Sequence, residues 1–310
     1  MRAPVDLIRS SWIVLVAGMS TGCFLKTPYV KAAAPYAGVL TSSAAVLKGE
    51  LRDAEEICRR RAELDALRHW LEARPSEPTP ATDWAAACRD VATAGDVHQQ
   101  ALRALAAYGE AIRTFATGDA YDGSGLEPAG EAIDGLVQKL AGSNSAAATY
   151  GKSAAAPVQQ LTAFLFKEAV DKTLGGVVRG AAPSVASLLA AQGTFLSATA
   201  RELAALREET SEVLDEAQLI ARRGGGGGPN AAVPQAIAFD LYGAQERLDR
   251  ALATYQANQR AYSAIVAALG SAQAALAKAQ DDDPDDALTA VRASIRDARR
   301  EITLYASGRE

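Results

Sequence analysis

From Val185 onward, apolar and small polar residues recur at alternating steps of four and three: Leu189, Gln192, Leu196, Thr199, Leu203, Leu206, Thr210, Val213, Ala217 and Ile220. A strand cannot use this spacing, because its side chains change face every residue; an α-helix gathers all of them into one narrow seam. The pattern returns from Leu241 through Leu248, Leu252, Tyr255, Tyr262, Val266 and Leu269 to Leu276, with Gln245, Gln259 and Gln273 in the same seam. It returns again in Leu288, Val291, Ile295, Ala298, Ile302 and Tyr305. Each seam can be buried only against another helix or a partner. The chain is rich in alanine and holds only 6% aromatic residues, without the β-branched and aromatic clusters that mark strands. The expected fold is therefore all-α: an elongated antiparallel helical bundle with coiled-coil-like heptad packing.

The first half is less regular. Pro35 suits the first turn of a helix running to about Ala73, with Leu47, Leu51, Ala54, Cys58 and Leu64 on its apolar side. Pro75, Pro78 and Pro80 make a loop, and Thr82 or Asp83 can cap a second helix whose buried face runs from Trp84 through Cys88, Val91, His98, Leu105 and Tyr108 to Phe115. A short helix over 127–141, a loop over 142–153 and a helix from Ala154 to Arg179 follow, and Pro183 is expected to turn or kink the chain. The glycine run 224–230 reads as a flexible hairpin loop. At 1.5 Å per residue, the helices ending at Ala73 and Arg222 reach roughly 55 to 60 Å. Residues 35–306 are expected to form a single elongated domain.

The polar seam residues have two readings. Gln245, Gln259 and Gln273, with Gln192, Thr199 and Thr210, can fix register by hydrogen-bonding across the bundle, the commoner use of such positions. Alternatively they line a small-ligand cavity.

The N-terminus carries an address. Arg2 and Arg9 precede the apolar run Trp12 to Met19, too short to span a bilayer, and Ser20, Thr21 and Gly22 lead to Cys23. This resembles the lipobox of bacterial lipoproteins, although Ser20 stands where leucine is usual. The resemblance implies a signal peptide over 1–22, lipidation at Cys23 and a tether over 23–34, with the membrane as partner through the lipid. Phe24 after the cysteine resembles proteins sent to the outer membrane, facing the periplasm. The alternative is cleavage by ordinary signal peptidase and secretion. The chain has three cysteines, and lipidation of Cys23 would account for the odd one. Cys58 and Cys88 lie on the inward faces of consecutive helices and are candidates for a disulfide; the other reading is two buried thiols.

Several motifs carry no chemistry. Ala146 to Ser153 fits a loose phosphate-binding P-loop, but no strand precedes it. Asp281, Asp283 and Asp285 imitate an EF-hand start, but Asp286 replaces the turn glycine and Arg292 the terminal glutamate. His69 and His98 are the only histidines, neither at metal spacing nor in a triad context. The formal net charge of −5 and the absence of a dense basic face argue against nucleic acid; Arg59, Arg60 and Arg61 sit beside Glu55 and Glu56. No catalytic residue, cofactor or metal site is expected.

Through the signal, the Tyr108 and Tyr121 region and the C-terminal coiled helices, the chain resembles uncharacterised alanine-rich helical lipoproteins of proteobacteria, a family that implies no activity. The functional expectation is a non-enzymatic envelope lipoprotein, a tethered scaffold or interaction module, with envelope proteins as partners. Residues 158–200 also resemble, in architecture, the apolar hairpin of pore-forming proteins related to cytolysin A. That gives a membrane-active alternative.

Overall fold

A computed structural model describes residues 27–73, 83–119, 121–122, 129–169, 173–223, 232–279 and 284–307. These residues are all-α, with no strand among them. The helices are α1 (Thr27–Ala73), α2 (Trp84–Ala87), α3 (Arg89–Thr117), α4 (Ala129–Lys139), α5 (Ala146–Ala163), α6 (Leu174–Arg223), α7 (Ala232–Lys278) and α8 (Pro284–Ser307). A π-helical turn, Phe164–Glu168, extends α5.

Five of them close a ring: α1 packs on α3, α3 on α5, α5 on α6, α6 on α7, and α7 back on α1. The last helix, α8, lies outside the ring, against α7 and α1. Cross-helix hydrogen bonds fix the directions. Leu47 faces His98 while Cys58 faces Cys88, so α1 and α3 are antiparallel. Val178 faces Gln273 while Leu196 faces Gln259, so α6 and α7 are too. By contrast, Asp90 faces Ser145 while His98 faces Tyr150, which makes α3 and α5 parallel; α4, packed on both, lies in the connection between them.

The heptad seams are the inward faces. Val185, Leu189, Gln192, Leu196 and Thr199 are buried on α6, Leu248, Leu252, Tyr255, Tyr262, Leu269 and Leu276 on α7, and Leu288, Val291, Ile295 and Ala298 on α8. The α6 seam beyond Thr199, from Leu203 to Ile220, lies outside the residues whose side chains are described, as does Leu241.

Three boundaries differ from the sequence reading. Helix α1 begins at Thr27 rather than Pro35, so residues 27–34 are helix and not tether. Ala32, Ala33 and Tyr36 are buried, and their packing carries the helix through a proline that removes one backbone bond and crowds the carbonyl one turn back. Helix α5 begins at Ala146 instead of 154, because Ser145 accepts the Ala148 N–H at 3.1 Å as N-cap. The expected turn at Pro183 is absent: α6 starts at Leu174 and runs through Pro183 to Arg223. At the end of α3, Gly118 takes φ 84° and returns its N–H to the Thr114 carbonyl, a left-handed cap that glycine adopts without strain. The expected signal peptide 1–22, Cys23, the expected loop 224–230, Asp281 and Asp283 lie outside the described residues, and so does the side chain of His69.

Candidate functional site

The most concentrated polar chemistry lies inside the ring, where a stripe of α1 crosses α3, α5 and α6. Glu50 falls between Leu47, Leu51 and Ala54 on the buried face of α1 and is 0% exposed. Gln192, from the α6 seam, donates its amide to Glu50 Oε2. Among the described residues the other carboxyl oxygen, Oε1, has no partner, and neither has the hydroxyl of buried Ser43 two turns earlier. Burial drives the Glu50 carboxyl well above its ordinary range; the Gln192 bond opposes this and the neighbouring Asp53 adds to it. Burial thus favours the neutral acid over the carboxylate in the folded state.

His98 on α3 completes the cluster. Its Nδ1 lies 2.7 Å from the Tyr150 hydroxyl and its Nε2 3.0 Å from the Leu47 carbonyl. A carbonyl can only accept, so Nε2 carries the proton and Nδ1 accepts from Tyr150. Burial lowers the His98 pKa to about 4, against the Leu47 and Gln192 bonds that favour the charged form. The Tyr150 ring stacks at 4.8 Å on Phe195 of α6, so one tyrosine ties α3, α5 and α6 together.

Two further layers follow the same plan. Gln273 accepts from the Tyr108 hydroxyl at 3.0 Å and donates to the Val178 carbonyl at 3.4 Å, joining α3, α6 and α7. Gln259 donates to the Leu196 carbonyl at 3.4 Å. Between α1, α7 and α8, Asp53 accepts from Asn258 and Tyr262, both at 2.9 Å, and Tyr262 lies 3.1 Å from the Tyr305 hydroxyl. The amides of Gln192, Gln259 and Gln273 are therefore taken up by cross-helix bonds, as the register reading requires. Gln245 is half-buried beside a shallow depression formed by its own helix, and the Thr210 side chain is outside those described.

Cys58 and Cys88 are joined in a disulfide with their Cα atoms 5.9 Å apart. Cys88 occupies the N-cap position of α3, directly after the single turn of α2, and this short break brings it level with Cys58. The P-loop-like lysine has an ordinary task. Lys152 sits in α5 and donates to the Ser143 carbonyl at 2.6 Å, in a turn where Ser143 and Ser145 both donate to Asp90. Arg60 is bound by Glu56 and Glu63 and Arg59 by Glu56, in keeping with a solvated ion-paired face. Among the described residues no group of histidine, cysteine and carboxylate side chains is arranged to hold a metal.

Leu174–Arg201 is apolar and long enough to cross a membrane, and half of it is buried in the bundle. Val177, Val178, Ala181, Val185 and Leu188 of this span pack in the core.

Sequence reasoning placed Cys58, Cys88, His98 and Gln192 on inward faces but passed over Glu50 and Tyr150. A signal for Glu50 was present: its positions three and four residues away are Leu47, Val46, Asp53 and Ala54, so no cation on its own helix can pair with it. Compared with known protein families, curated proteins and solved structures, the chain matches none.

Proposed function

We propose that this protein is a non-enzymatic lipoprotein of the bacterial cell envelope, a helical bundle held to the outer membrane by lipid on Cys23 and serving as a tethered scaffold for envelope proteins. The observation that carries the reading is the bond between Cys58 and Cys88. Structural disulfides belong to oxidising compartments, in agreement with an export signal, and this one leaves Cys23 as the odd cysteine of three. The ring of helices supports a scaffold role. Its most polar cluster is sealed from solvent, with Glu50, His98 and Tyr150 each at most 2% exposed, so these groups act on helix register rather than on a substrate.

The test is mass spectrometry of the N-terminal peptide after expression of the full chain in a Gram-negative host. The expected result is a diacylglyceryl-modified Cys23, with Cys23→Ser moving the protein out of the membrane fraction. A cleaved, unmodified terminus would overturn the lipoprotein reading.

A further inference from the structure

Between α1, α3, α5 and α6, next to the disulfide, the bundle holds a cavity of about 420 Å³. Its size falls within the range of about 300 to 1,000 Å³ found for small-molecule sites. The hollow has a cause in the sequence. Ala54 and Ala62 on α1 face Ala147 on α5, and three alanines leave space that larger side chains would fill. Ile57, Val91 and Phe195 add further apolar wall.

One polar group in that wall lacks a partner among the described residues. Thr199 lines the cavity and is 6% exposed, yet its hydroxyl makes no hydrogen bond to any described residue. Other threonines in these helices return the hydroxyl to the carbonyl one turn back: Thr93 to Arg89 at 2.8 Å, Thr162 to Val158 at 2.7 Å, and Thr194, on the same helix, to Ala190 at 3.0 Å. Thr199 does not, although the Phe195 carbonyl stands one turn back. The Thr199 hydroxyl is therefore available to a guest in the cavity, and pairing with it would add one neutral hydrogen bond to the apolar contacts.

The mouth sets the charge of that guest. Asp90 is engaged by Ser143 and Ser145, and Arg61 lies 3.9 Å from Asp65. Two carboxylates against one guanidinium disfavour an anion, and the apolar walls disfavour any ion. The walls are also held apart in advance: Cys58 lines the cavity and is bonded to Cys88, so α1 and α3 are covalently spaced before anything binds.

We propose that this cavity is a binding site for a small uncharged apolar molecule, of two or three fused or linked rings or equivalent bulk, anchored by one hydrogen bond to Thr199. This goes beyond the scaffold reading and does not depend on lipidation of Cys23.

The experiment is fluorescence titration of N-phenyl-1-naphthylamine, a neutral apolar probe with a single N–H donor, into the processed chain purified with its disulfide intact. One probe is expected per chain, with a Kd on the order of micromolar. Ala54→Leu and Ala147→Leu fill the cavity from two different walls and are expected to weaken binding at least tenfold while helical content and thermal midpoint are kept. Thr199→Val, nearly isosteric, is expected to weaken it roughly fivefold, the equivalent of one neutral hydrogen bond. All variants share whatever lipid the chain carries, so background partitioning cancels. Affinity retained in the folded leucine variants, affinity unchanged in Thr199→Val, or no saturable binding by the parent chain would each overturn the proposal.

Discussion

The Tyr150 hydroxyl donates to Nδ1 of His98 across 2.7 Å, and this one contact makes His98 a neutral donor to the Leu47 carbonyl, so that a single imidazole joins three helices. Protonation of His98 would put a second N–H against the Tyr150 hydroxyl in a site from which water is excluded.

Stability is therefore expected to fall on acidification. The folded-state pKa of His98 is depressed to about 4 from an ordinary 6.5. The unfolded chain takes up the proton first, so the stabilisation is present above pH 6.5 and is lost as pH falls through 4. The contribution is roughly 3 kcal/mol. Urea unfolding of wild type and His98→Gln between pH 7 and 4 measures it. The variant is expected to be less stable at pH 7 and to lose less on acidification.

Glu50 works in the opposite direction. Its folded-state pKa is raised, so the neutral acid stabilises the bundle fully below the ordinary value of 4.5, and that contribution is lost as pH rises through the folded value. Glu50→Gln keeps the shape and removes the charge. The variant's thermal midpoint is expected to exceed that of wild type increasingly as pH is raised from 5 to 9. A constant offset across that range would show that Glu50 does not titrate on unfolding.

Reduction of the Cys58–Cys88 bond, which spans 30 residues, is expected to cost about 3 to 4 kcal/mol. Cys58→Ser with Cys88→Ser should show the same loss in denaturant unfolding. Peptide maps that are identical with and without reductant would dispose of the bond itself.

Glycines separate packing from propensity. A Cβ at Gly109 would lie 3.1 Å from the Ala37 carbonyl oxygen, where α1 and α3 approach closely, whereas one at Gly270 would meet nothing within 4 Å. Gly270→Ala is expected to raise stability by about 0.5 to 1 kcal/mol, the helix preference of alanine. Gly109→Ala should give no such gain, and Gly109→Val should destabilise. Thermal unfolding of the three variants ranks them.

The seams on α6, α7 and α8 were legible because periodicity is a local property: Val185 to Thr199 and Leu288 to Ala298 announce their buried faces within two or three turns. Pro35 and Pro183 misled for the same reason. A proline is a local signal against helix, and it is overridden where neighbours such as Tyr36 or Val185 are packed on all sides. Cys58 and Cys88 were legible as a pair on facing sides, but their alignment depended on the single turn of α2, which no periodicity marks.

By itself, then, the sequence determined the all-helical class, the faces that turn inward and, in Gln192, Gln259 and Gln273, three of the residues that set register, since each follows from residue spacing along one helix. Only the tertiary structure decided which helices meet. The parallel pairing of α3 with α5, the meeting of Glu50 with Gln192 from 142 residues away, and the hollow between Ala54, Ala147 and Thr199 are properties of the closed ring. Seams on separate helices carry no mark of their partners, and that choice is made by how their side chains fill the space between them.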